Sequence, residues 1–140
     1  MNQMSQPNKI MIVEDDEHIA QLLVFLFQRE GFNTEHAADG QVAVQMIEQN
    51  APPALILLDM MLPYQDGFSL LNKIRTQPEW EELPVIMLTS KSHESGIVRA
   101  LNAGANDYVV KPFQPGELMA RVRQLLLISQ KQKQRRMLEK

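Results

Sequence analysis

The sequence predicts an α/β protein, a parallel sheet of five strands with five helices on both faces. Three observations lead there. Apolar runs of strand length alternate with segments whose apolar residues recur at helical spacing. The strand-like runs are continuously apolar rather than alternating, as expected of strands buried on both faces. Gly, Pro and Asp separate the segments where turns and helix ends are needed.

Taken in order, Lys9 to Val13 is a short apolar run, and Asp16 to Glu30 follows with Ile19, Leu22, Leu23, Leu26 and Phe27 on one helical stripe. Gly31 stops that helix as a C-terminal cap would, and Asn33 to Ala37 forms a second strand. Asp39-Gly40 opens a helix from Gln41 to Asn50, and Pro52-Pro53 ends it. Ala54 to Asp59 (ALILLD) is an apolar run ending in a charge, the pattern of a central parallel strand. Pro63 and Asp66-Gly67 make the next loop, Phe68, Leu71 and Ile74 mark a helix, and Pro84 to Leu88 (PVIML) is a fourth strand. Ser95 to Ala103, closed by Gly104, is a helix and Tyr108 to Val110 a fifth strand. From Pro115 a last helix turns Leu118, Val122, Leu125 and Leu126 inward. Right-handed crossovers then place helices on both faces, and the flavodoxin-like order 2-1-3-4-5 is the common five-strand arrangement.

With 140 residues, 44% apolar and 22% charged, the chain fits one folded domain with one sizeable core. Cysteine is absent, which excludes disulfides and thiolate metal sites and suits a reducing compartment. The polar start, Met1 to Asn8, is not a signal peptide, and no apolar stretch has membrane-spanning length, so the expected location is cytoplasmic, with no membrane partner. The formal charge of −3 hides an asymmetry, because Ser129 to Lys140 carries Lys131, Lys133, Arg135, Arg136 and Lys140 against Glu139. Such a short basic Gln/Lys run after a helix reads as a solvated extension or linker rather than a nucleic-acid site.

Functional crevices of open parallel sheets lie beyond the carboxyl ends of the strands. Here those ends are Glu14-Asp15-Asp16, Asp59, Thr89-Ser90 and Lys111-Pro112. In the expected order they are neighbours, so acids, hydroxyls and an amine converge on one rim. Glu14, Asp15 and Asp59 gathered together repel one another and call for a cation. A hard divalent ion fits, and Mg²⁺ tolerates one or two carboxylates while leaving positions for phosphate oxygens. With that ion on one side and Lys111 on the other, a phosphoryl group would be neutralised while Asp59 attacks it, with Thr89 donating a hydrogen bond. Asp16, just ahead of an apolar stripe, reads as a helix N-cap rather than a ligand. His18, His36 and His93 are too scattered for a metal site and read as structural or exposed, and the methionines fill core positions.

Together IMIVEDDE, LILLDMMLPYQDG, PVIMLTS and GANDYVVKPF resemble the bacterial two-component response-regulator receiver family over roughly Asn8 to Ile128. The resemblance implies residues 9–128 as a receiver domain, 1–8 as a disordered lead and 129–140 as a basic helical extension or linker. It implies Asp59 as phosphoacceptor, Asp15 as a direct Mg²⁺ ligand with Glu14 as its partner acid, and Met61 contributing only its backbone carbonyl. Thr89 would sense the phosphoryl group, Lys111 would pair with it, and Tyr108 would report the state by turning inward. The donor would be a phosphohistidine on a sensor histidine kinase or phosphotransfer protein, and the domain would catalyse only its own phosphorylation and dephosphorylation. The Lys111–Pro112 bond would be cis. The run Lys111-Pro112-Phe113 with Glu117, Arg121 and Arg123 is most similar to receivers that precede winged-helix DNA-binding domains. The receiver itself would not bind nucleic acid. Such receivers form homodimers through the fourth helix, fifth strand and fifth helix, and Asp107 and Arg121 match one of their ion pairs. Ile97 and Asn102, however, stand where charged partners of Glu117 and Arg123 are usual. Two other readings share the fold. An Mg²⁺-dependent aspartate-nucleophile phosphatase resembles D-x-D, but Met61 occupies the second position and leaves no general acid. A flavin module would set phosphate beside Glu14-Asp15-Asp16-Glu17, which repels it.

Overall fold

Alternation along each strand divides the apolar residues into two cores. In the computed structural model, which describes residues 6–62, 66–90 and 94–139, the elements follow the expected alternation. They are β1 (Gln6–Val13), α1 (Glu17–Arg29), β2 (Asn33–Ala37), α2 (Gly40–Gln49), β3 (Pro53–Asp59), α3 (Gly67–Thr76), β4 (Val85–Ser90), α4 (Glu94–Asn102), β5 (Asp107–Lys111) and α5 (Pro115–Glu139). All strand pairs are parallel, and the order is β2-β1-β3-β4-β5. Met11, Val13, Ile56, Leu58, Val85 and Met87 face one way and pack with Ala43, Ile47, Leu70, Leu71, Ile74 and Trp80 of α2, α3 and the segment after α3. Ile10, Ile12, Leu55, Leu57, Ile86 and Leu88 face the other way, onto Leu23 and Phe27 of α1 and Leu118 and Val122 of α5. Both faces of the central strands are therefore covered, which is why their sequences are apolar without interruption.

The first three helices each start where the sequence offers a cap. Asp16 accepts from the N–H groups of His18 and Ile19, Asp39 from Val42 and Asp66 from Ser69, satisfying donors that have no partner within the helix. After α1 the chain passes through Gly31 at φ +93, where glycine carries no steric penalty. Gly104 turns at φ +113 and lies against the Arg75 side chain.

One boundary differs from expectation. β1 begins at Gln6, inside the lead expected to be disordered over 1–8; residues 1–5 of that lead lie outside the described residues. α5 continues unbroken through Glu139, so the basic segment from Ser129 is a helical extension, one of the two forms expected for it. Its residues Ser129, Gln132, Lys133 and Arg136 line a cleft with Pro52, Pro53 and Pro84 at the amino-terminal end of the sheet. There Arg136 pairs with Glu82. The readings of Pro63, His93 and Lys140 lie outside the described residues. Among the described residues no helix is long and apolar enough to cross a membrane.

Candidate functional site

The parallel register brings the carboxyl ends of four strands to one rim. Val13 pairs with Leu58, Asp59 with Leu88, Thr89 with Val110 and Ser90 with Lys111. The first residue after β1 is Glu14, and it is held from four directions. Its N–H donates to the Ala37 carbonyl at 3.1 Å, its own carbonyl lies 2.8 Å from His36 Nε2, and its Oε2 accepts from the Asp16 N–H at 3.1 Å. Its Oε1 faces Lys111 Nζ at 2.7 Å. The side chain is thereby turned inward and is fully buried, whereas Asp15, one residue on, is exposed.

Asp59, at the end of β3, is 5% exposed, which separates it from a surface aspartate that merely opens a turn. Its Oδ1 accepts from the Met61 N–H at 3.0 Å, and its Oδ2 lies 3.2 Å from Lys111 Nζ. The backbone beyond it is fixed as well, because Met60 donates to the Leu88 carbonyl and Gly67 donates to the Met60 carbonyl. Gly67 is required at the start of α3, since a Cβ there would stand 2.8 Å from the Asp59 carbonyl oxygen and from Met60 Cα. The first turn of α3 thus lies directly on the Asp59 turn.

Glu14, Asp15 and Asp59 each present a carboxylate oxygen, and these atoms lie within 4.8 Å of one another. Burial raises the Glu14 carboxyl most, Lys111 opposes that rise and Asp59 adds to it; the result is pushed up to about 7 from 4.5. Burial alone would lower the Lys111 ammonium, but Glu14 and Asp59 outweigh it and hold it above its ordinary range. Glu14 Oε1 is a buried oxygen whose contact among the described residues is the Lys111 ammonium at 2.7 Å. Three carboxylates gathered beside a single ammonium fit a hard cation with oxygen ligands.

Glu14, Asp15, Asp59 and Lys111, read from sequence as one site, are therefore brought together. Thr89 is buried at the end of β4 and donates to the Ser90 carbonyl at 3.3 Å. Tyr108 is half-buried and packs against the core under α3 and α4. The Met61 side chain is exposed, and it is the Met61 N–H that touches Asp59. Lys111–Pro112 is cis. Asp107 and Arg121, expected across a dimer interface, pair within the chain at 2.9 Å, and Arg123 pairs with Glu30. Two residues escaped sequence reasoning. His36 carries no signal beyond lying near the end of an edge strand, and Arg75 none beyond standing near the end of a helix.

The chain is similar to known proteins over most of its length. Residues 10–123 match the family model described as response regulator receiver domain. The phosphate regulon transcriptional regulatory protein PhoB of Rhizobium meliloti (strain 1021) is 45% identical over 118 residues, 84% of this chain and 52% of its own length. The transcriptional regulatory protein SrrA of Staphylococcus aureus (strain NCTC 8325 / PS 47) is 43% identical over 119 residues, 85% of this chain and 48% of its own. The chain thus spans about half the length of these curated relatives. Among solved structures, the receiver domain of the Francisella response regulator 1452 superposes with a TM-score of 0.79 at 35% identity, covering 87% of this chain and 98% of that one. A CheY-like receiver domain protein from Methanospirillum hungatei JF-1 does so with 0.82 at 30% identity, covering 89% and 98%. With its fold, strand order and matched segment in agreement, this chain belongs to the response-regulator receiver domains of two-component systems.

Proposed function

We propose that Asp59 is the phosphoacceptor of this receiver and that Glu14, Asp15 and Asp59, with the Met61 backbone carbonyl, hold Mg²⁺ beside it. The observation carrying this reading is the position of Lys111, whose ammonium reaches Glu14 at 2.7 Å and Asp59 at 3.2 Å while Asp15 completes the acidic cluster. In the proposed reaction an Asp59 oxygen attacks the phosphorus of a phosphohistidine on a sensor kinase or phosphotransfer protein. The P–N bond breaks, its electron pair returns to the imidazole, and an acyl phosphate forms on Asp59. Lys111 neutralises the incoming phosphoryl oxygens, and the Thr89 hydroxyl turns from the Ser90 carbonyl to donate to one of them. Bound Mg²⁺ supplies electrostatic stabilisation of charge on those oxygens. The domain acts only on its own phosphoryl group, adding and losing it, and Met61 two residues beyond Asp59 supplies no general acid for phosphatase turnover.

Phosphorylation is then a population shift. Drawing Thr89 toward the rim frees space for Tyr108 to turn inward and alters the face built by α4, β5 and α5. That face would control an output domain or partner protein, or pair with a second copy of the chain. Val98 and Leu101 are exposed on α4, so apolar surface is available there. In keeping with its place among the receiver domains of two-component systems, we place the domain in the cytoplasm.

Incubation with Mg²⁺ and a small acyl-phosphate donor should add one base-labile phosphoryl group, read by intact mass. Asp59→Asn should accept none. Phosphorylation of the Asp59→Asn protein, or modification at another residue of the wild type, refutes the assignment.

A further inference from the structure

The Glu14-Asp15 turn stands at the end of β1 next to the edge strand β2, and its carbonyl is not left to solvent. His36 Nε2 lies 2.8 Å from the Glu14 carbonyl oxygen. A carbonyl only accepts, so the hydrogen must be on Nε2. His36 is the penultimate residue of β2, paired in register with Ile12, and the following residue, Ala37, accepts from the Glu14 N–H. Both backbone groups of Glu14 are therefore tied to β2, one by main chain and one by the His36 ring. The same ring lines a cleft whose wall includes Asp15 and Glu17.

We infer that His36 is a positioning residue for the metal site: by donating from Nε2 to the Glu14 carbonyl it fixes the turn that aims the Glu14 and Asp15 carboxylates. The inference rests on the proposed Mg²⁺ site and adds a residue to it. The physical reason is local. β1 ends at Val13 and α1 begins at Glu17; the Glu14 N–H is still bonded to β2 and Asp16 caps α1, so the peptide joining Glu14 to Asp15 is the link that neither ladder nor helix holds. Asp15 is exposed, so burial does not set its direction. Clamping the peptide between Glu14 and Asp15 restricts both carboxylates at once, before any cation arrives, and the ordering cost is met in folding rather than in binding. Groups that orient metal ligands are typically worth a factor of ~10 to 100 in affinity.

The side-chain length makes the idea testable. In glutamine the amide nitrogen is as many bonds from Cα as Nε2 is in histidine, whereas in asparagine it falls one bond short. Mg²⁺ titrations of the wild type, His36→Leu, His36→Asn and His36→Gln are followed by calorimetry and by the Asp15 and Asp16 amide signals, with thermal midpoints measured alongside. Removal of the donor should weaken Mg²⁺ binding roughly tenfold in His36→Leu and His36→Asn, and His36→Gln should stay within about twofold of wild type. The wild-type imidazole, in long-range ¹H–¹⁵N spectra, should carry its proton on Nε2. Wild-type affinity in His36→Leu and His36→Asn overturns the inference while leaving the metal site standing, and so does equal weakness in His36→Gln or a bare Nε2. If His36→Leu fails to fold, the Asn and Gln pair carries the same comparison. If the wild type binds no Mg²⁺, the metal site and this inference fall together.

Discussion

Glu14→Gln should abolish a pH-dependent weakness built into the metal-free protein. The Glu14 carboxyl titrates at about 7 in the folded state, against 4.5 when unfolded, chiefly because it is buried beside Asp59. Between those two values the folded state keeps a proton that the unfolded state has lost, so stability falls as pH rises through the window. The penalty is absent below 4.5 and complete above about 7. At about 1.4 kcal/mol per pH unit, the separation from 4.5 to about 7 amounts to about 3 kcal/mol. A glutamine still accepts from the Asp16 N–H, but it carries no charge to desolvate. Urea unfolding of both proteins at pH 5 and pH 8, with a chelator present, isolates this contribution. The stability of Glu14→Gln relative to wild type should grow by about 2 to 3 kcal/mol between those pH values, part of the penalty being already present at pH 5. Excess Mg²⁺ should narrow the gap at pH 8, because the ionised carboxylate is then compensated. Parallel pH dependences for the two proteins would refute the reasoning, since Glu14 would then titrate alike folded and unfolded.

The same proton competes with the cation, so wild-type Mg²⁺ affinity should fall about tenfold from pH 8 to pH 6 in a calorimetric titration; an affinity flat across that range contradicts a Glu14 titrating at about 7. Gly67→Ala should lose ~1 to 3 kcal/mol by urea unfolding and slow phosphorylation by an acyl-phosphate donor. Its new methyl would meet backbone atoms of Asp59 and Met60, which cannot yield as a side chain could. Arg75 donates to the carbonyls of Glu81, Leu83 and Gly104 and to Asn106 Oδ1, joining the end of α3 to the turn between α4 and β5. Lysine cannot span that fork, so Arg75→Lys should cost ~2 to 4 kcal/mol in urea; a loss under about 0.5 kcal/mol would show the fork to be dispensable.

The sequence alone determined the fold and most of the site. Strands such as Ala54 to Asp59 are apolar without interruption because both their faces are covered, and that pattern survives in one dimension. Asp16, Asp39 and Asp66 mark helix starts because capping is a contact within three residues. Glu14, Asp15, Asp59 and Lys111 were legible because in a parallel sheet every strand ends on the same side, so strand ends identify a common rim without coordinates. What the rim does at atomic distance was decided by the tertiary structure. The burial of Glu14 beside an exposed Asp15 follows from four contacts, two of them with residues of β2 more than twenty positions away. The roles of His36 and Arg75 are of the same kind: each acts on main-chain carbonyls, and a carbonyl is the same in every residue. Sequence patterns record which side chains are apolar or charged. They do not record which backbone oxygen a distant donor will find, because that depends on register and on where each strand stops.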